Sequence, residues 1–169
     1  MKRPLQRTGG FTLVEMVVTL ALVGMLAMTA LPLYQVTTTR LKETELRTAL
    51  RTLRSALDAY KAASDQGQIP KAAGESGFPP SLDALVQGVE ITLPNATTLG
   101  GEPTKRRIVF LRRVPRDPFG NDSDVPAADT WTLRSYGSAL EDPQPGPDVY
   151  DVLSKSQRIG LNGIPYRQW

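Results

Sequence analysis

From Met16 to Thr39 the chain carries no charged residue, and this run limits the fold more than any other feature of its 169 residues. As a helix rising ~1.5 Å per residue it would extend ~36 Å, enough to cross a hydrocarbon core of ~30 Å. Lys2, Arg3 and Arg7 precede it, in a first ten residues that hold no acid. Such a pattern admits a membrane anchor or a cleaved secretory signal. The second reading is weakened at Met28-Thr29-Ala30, which lacks the small residue expected three positions before a cut. Glu15 burdens both, because an acidic side chain in an apolar span costs about 2.5–3.5 kcal/mol near the bilayer centre. Either it reaches to the interface or another chain supplies a positive partner at its depth.

The chain has no His and no Cys. Thiol nucleophiles, His-based triads, disulfides, thiolate zinc sites and haem attachment are thereby excluded. Asp148 and Asp151 are the candidates for a catalytic carboxylate pair, but no base supports them, so no enzyme activity is expected. Lys and Arg total 20 against 17 Asp and Glu; without the first ten residues the side chains balance at 17 and 17. The basicity belongs to the leader, and nucleic acid is not an expected partner. Residues 105–116 do form a basic run, but its one aromatic, Phe110, makes a poor stacking platform.

Gly10-Phe11-Thr12-Leu13-Val14-Glu15, between a basic leader and an apolar helix, resembles the signature of type IV pilin-like proteins, including the pseudopilins of type II secretion. The resemblance implies that a prepilin peptidase removes residues 1–10 by cutting after Gly10 and methylates Phe11. It also implies that Glu15, the fifth mature residue, faces the N-terminal amine of a neighbouring subunit. A cation and a carboxylate attract far more strongly in a low-dielectric setting than in water, which makes that pairing physically reasonable. Before the cut, the leader's charges would keep the N-terminus cytoplasmic and leave the C-terminal part periplasmic, with Arg40 and Lys42 weakening the asymmetry. Residues 11–36 are then the transmembrane and assembly helix of an inner-membrane protein, and residues 37–169 the periplasmic domain. Pro32, at a position where pilin-like helices often carry a proline, predicts a bend or local melting of the span.

Beyond the span, Leu46, Leu50, Leu53, Leu57 and Tyr60 recur at spacings of four and three, drawing one apolar stripe along a helix that ends near Ala63. Arg47, Arg51, Arg54, Asp58 and Lys61 fall on other faces. Two heptads followed by a globular sequence favour packing on a sheet of the same chain over a coiled coil. The expected class is therefore α+β, a long N-terminal helix against a small antiparallel sheet, and the resemblance implies that this arrangement is pilin-like. Ser81 is the expected N-cap of a short second helix after Phe78-Pro79-Pro80. Trp131–Tyr136 and Val149–Leu153 read as strands, and 108–111 as strand or loop. Asn95-Ala96-Thr97 and Asn121-Asp122-Ser123 read as turns.

The segment from Phe110 to Asn121 resembles a Leu-x-x-x-Pro-x-Asp-Pro-aromatic-Gly-Asn block of major pseudopilins, with Phe119 as a core anchor. Residues 105–116 hold six basic side chains and no acid, while 117–151 hold eight acids and only Arg134. These stretches attract one another either within the fold or between subunits. Asp148 to Ser156 resembles the loop in which major pseudopilins hold structural calcium, an ion that takes six to eight oxygen ligands. Gln157 and Arg158 stand where the family tends to place acids. Three outcomes stay open: loss of the site, reconstruction by Asp148, Asp151, Ser154 and Ser156, or replacement by contacts in which Lys155 and Arg158 pair with nearby aspartates. The resemblance as a whole implies a structural subunit of the type II secretion pseudopilus, polymerising to export folded proteins across the outer membrane. Its implied partners are other copies, minor pseudopilins, the prepilin peptidase and the inner-membrane secretion platform. A type IV pilin or minor pilin, in adhesion, motility or DNA uptake, is the alternative.

Overall fold

The computed structural model describes residues 10–97, 103–120, 124–139 and 141–169; the rest of the leader and Asn121-Asp122-Ser123 lie outside the described residues. The chain divides into two compact units, Met1–Arg40 and Leu41–Trp169. Helix α1 spans Leu13–Asp65, with Pro32 inside it, and contributes to both. It starts two residues after Phe11 because Thr12 caps it: the Thr12 hydroxyl accepts from Glu15 N at 3.2 Å, and the Thr12 carbonyl accepts from Met16 N. Thr12-Leu13-Val14-Glu15 has the spacing of a capping box.

In the first unit the apolar side chains from Phe11 to Tyr34 are exposed around the helix. Its threonines hide their hydroxyls by bonding back to backbone carbonyls, Thr19 to Met16 O and Thr29 to Leu26 O, both at 2.9 Å. That is the arrangement a helix needs where no water can serve its polar groups.

In the second unit α1 turns one stripe inward. Leu46, Leu50, Leu53, Leu57 and Tyr60 are all buried in one core, as the spacing predicts. The helix stops at a left-handed Gly67, φ 71°, where Gly67 N bonds Ser64 O and Gln68 N bonds Ala63 O, a Schellman ending. Ser81 caps helix α2, Leu82–Gln87, by accepting from Ala84 N. Gly88 follows at φ 77°, where a Cβ would lie 2.8 Å from the Ile108 carbonyl, so the turn out of α2 requires glycine.

The strands form two antiparallel pairs in place of the single small sheet expected. Strands β1, Val89–Thr97, and β2, Pro103–Ile108, form one, with an irregularity between Thr92 and Thr97; β3, Trp131–Arg134, and β4, Asp151–Ser154, form the other. The turn expected at Asn95-Ala96-Thr97 is instead the end of β1, where Asn95 and Ala96 fall in the irregular stretch and Thr97 pairs with Pro103. Residues 109–111 leave the sheet, and Phe110 N and Leu111 N both donate to Leu85 O at the end of α2. Leu82, Leu85, Ile91, Phe119, Trp131, Val149, Val152 and Tyr166 complete the core against α1.

Candidate functional site

Two regions carry the chemistry, and each belongs to one unit. The first is the head of α1. Gly10 and Phe11 precede the helix, Glu15 sits in its first turn, and all three are exposed. The Glu15 carboxylate has no hydrogen bond or ion pair among the described residues. An 18-residue window of α1 reaches a mean hydropathy of 2.2 with none of it buried, so length and composition suit a membrane span. Helix α1 runs through Pro32, whose missing N–H leaves Met28 O without its usual donor.

The second region is the C-terminal segment and what holds it to α1. Glu43 is buried at 6% exposure, and its Oε1 accepts from Leu161 N at 2.6 Å and from the Tyr166 hydroxyl at 3.0 Å. Burial, then the hydrogen bond and charge of Glu43, push the Tyr166 hydroxyl up to about 12. Tyr166 stacks on Phe119 with centroids 4.1 Å apart, so the expected anchor does enter the core. Asp117 supports that loop from within. Its Oδ1 accepts from Phe119 N at 2.8 Å, an Asx turn, and its Oδ2 accepts from the Ser154 hydroxyl at 2.5 Å.

The four residues of the calcium reading do not converge: Asp148 and Asp151 serve separate networks, and Ser154 is joined to Ser156 through the Ser156 N–H at 3.1 Å. Asp148 accepts from the Ser76 hydroxyl, the Ser135 hydroxyl at 2.5 Å and Tyr136 N at 3.0 Å. Burial opposes its charge, but the Ser135 and Ser76 hydroxyls and the Tyr136 amide outweigh burial and hold its carboxyl below the ordinary value. Asp151 meets Arg54 Nε at 2.8 Å and an Arg134 nitrogen at 3.5 Å. Ser154 is turned to Asp117, and the Ser156 hydroxyl accepts from Arg158 N. Among the described residues no three acidic side chains gather in one place. The donor set as folded does not suit calcium, because each carboxylate already has its donors and Asp151 is flanked by two cations. Among the described residues Lys155 and Arg158 form no ion pair with an aspartate. Lys155 donates to the Asp129 carbonyl at 2.6 Å, and the Arg158 guanidinium lies 5.7 Å from the Phe119 ring centre. Asp148 and Asp151, the candidate carboxylate pair, are likewise drawn to different partners.

Sequence reasoning missed Glu43, Arg54 and Asp117. Of these, Asp117 carried a local signal, since an Asp two residues before the amide it binds is the Asx-turn pattern. Arg106, Arg107, Arg112 and Arg113 are exposed and make no ion pair among the described residues.

A family model of the prokaryotic N-terminal methylation motif matches residues 5–31. The type II secretion system core protein G of Aeromonas hydrophila is 32% identical over 117 residues, covering 69% of this chain and 71% of that protein. No solved structure gives a significant match. A methylation motif heading an apolar helix, a long helix packed on small antiparallel sheets, and identity that runs well beyond the motif together lead to one conclusion: the chain belongs to the family of the type II secretion system core protein G, with a pilin-like α+β fold.

Proposed function

We propose that the chain is a structural pseudopilin whose leader is cut after Gly10, whose Phe11 becomes the methylated N-terminus, and whose residues 11–36 anchor it in the bacterial inner membrane. The observation that carries this reading is a Glu15 carboxylate with no partner among the described residues, at the head of a helix that exposes apolar side chains all round in the first unit. Such a helix needs lipid or its own kind to cover it, and such a carboxylate needs a cation. Cutting before Phe11 supplies that cation, in the form of a neighbour's N-terminal amine. The leader's basic residues hold the uncut N-terminus in the cytoplasm, so the second unit lies in the periplasm. Subunits leave the bilayer and pack helix to helix, and the growing fibre pushes folded proteins toward an outer-membrane pore. Pro32 loosens the span where helices pack. The working partners are further copies of the chain, minor pseudopilins, the prepilin peptidase and the inner-membrane secretion platform. The role is mechanical and uses no catalytic residue.

Two measurements test this. Mass spectrometry of the protein from membranes is expected to find a methylated Phe11 at the N-terminus; a terminus at Met1 or near Leu31 would overturn the assignment. Glu15→Ala is expected to be processed and folded normally while losing most crosslinked multimers, because only the charge pair between subunits disappears. Multimers at the native level would mean that Glu15 merely reaches the membrane surface.

A further inference from the structure

We infer that the Arg54 guanidinium stands where a bound cation would otherwise sit in the C-terminal region, so that this chain fastens the region to α1 without a metal. Three oxygens from separate residues turn toward this one side chain. Asp151 Oδ1 receives Nε at 2.8 Å, while the Trp169 backbone oxygen and the Val152 carbonyl receive a terminal nitrogen at 2.7 and 3.4 Å. A carboxylate and two backbone oxygens around one positive charge is the kind of ligand set a hard cation collects. Here the charge belongs to the chain.

The other oxygen of Asp151 faces Arg134 at 3.5 Å, and the Arg134 guanidinium lies over the Tyr150 ring at 4.7 Å. Asp151 Oδ1 also accepts from Val152 N at 2.8 Å. Both carboxylate oxygens are therefore engaged, each by a guanidinium. A divalent ion could enter only by displacing a guanidinium and overcoming the repulsion of the second. Arg54 joins α1 to β4 and to the last residue, and Arg134 joins β3 to β4, so the pair closes the sheet onto the helix around one acid. An arginine fork holds several oxygens in fixed directions, which a lysine at this place would not do. Both are positioning residues.

The test uses the full chain in detergent micelles, with melting temperature and trypsin cleavage at Lys155 and Arg158 as readouts. The native chain is expected to give the same melt in chelator and in millimolar calcium. The Arg54→Gln, Arg134→Gln double variant is expected to melt several degrees lower and to be cut about tenfold faster in the C-terminal segment. Millimolar calcium is expected to recover part of both losses, because the freed oxygens then lack a cation. A native chain whose melting temperature falls in chelator and rises with calcium would overturn the inference without recourse to any variant. A double variant as stable and as protected as the native chain would overturn it too, as would one that calcium leaves unchanged. None of these readouts depends on filament assembly, so the pseudopilin role stands or falls separately.

Discussion

Glu43 gives the most direct test of how the second unit is held together. Its Oε1 is the shared acceptor for Leu161 N and the Tyr166 hydroxyl, in a place only 6% exposed. Hydrogen bonds to a charged group contribute about 1.5–3 kcal/mol each, and a buried donor left without a partner costs about 1–3 kcal/mol. Glu43→Ala strands both donors, so a loss of roughly 2–5 kcal/mol is expected, while Glu43→Gln keeps an acceptor and loses about 1–3 kcal/mol. Tyr166→Phe removes one of the two bonds and should lie near Glu43→Gln. For a unit of this size each kcal/mol lowers the melting temperature by about 3–5 °C. Thermal melts of the full chain in micelles read the series. The same contact predicts an alkaline limit. Because the Tyr166 hydroxyl is raised from its ordinary 10.0 to about 12, its contribution is complete below pH 10 and is lost as pH rises toward 12. A Glu43→Ala variant melting within about 1 °C of native, or a native Tyr166 that ionises near its ordinary value in an ultraviolet titration, would refute the reasoning.

Two further substitutions follow from the same core. Leu53 is fully buried at 0% exposure, so Leu53→Asp combines a cavity with an unpartnered carboxylate and is expected to cost more than about 4 kcal/mol, whereas Leu53→Met should cost under about 1.5 kcal/mol. Equal melts for the two would show that the stripe is not in the core. Asp148 has its folded value below the ordinary 3.8, so the stability it supplies is complete above that value and is lost as pH falls below it. Asp148→Asn should be less stable than native at pH 7 and show a shallower decline in acid; parallel acid limbs would count against the serine-held carboxylate.

The parts of the fold legible in the sequence were those written in local pattern. The apolar stripe from Leu46 to Tyr60 fixed which face of α1 enters the core, and Ser81 marked the start of α2. Phe119 found the core because the prolines and Asp117 around it leave the loop little freedom. The β1 and β2 pair was not legible. Its register joins Val89 to Ile108 and Glu90 to Arg107, and such pairing is decided between strands, not along them. The same limit applies at Thr97, read with Asn95 and Ala96 as a turn but paired with Pro103.

The C-terminal region shows where local pattern stops. Arg54 reaches Asp151 and Trp169 across 97 and 115 residues, and Glu43 reaches Tyr166 across 123. No spacing rule connects residues so far apart. Yet one half of each pair was visible in the helix. Glu43, Arg47 and Arg54 are spaced by four and seven, which places them on one line of α1 beside the leucine stripe. Arg47 lies 4.4 Å from the Trp169 ring centre, so all three members of that line touch the C-terminal segment. A polar line at the edge of an apolar stripe is therefore more than a solvated flank. In this chain it is the seam along which the C-terminal segment closes over the core, with Glu43 supplying an oxygen acceptor for Tyr166 and Arg54 a cation for Asp151. The charge that Asp151 requires was present in the helix sequence from the start, at Arg54, and only folding brings the two together.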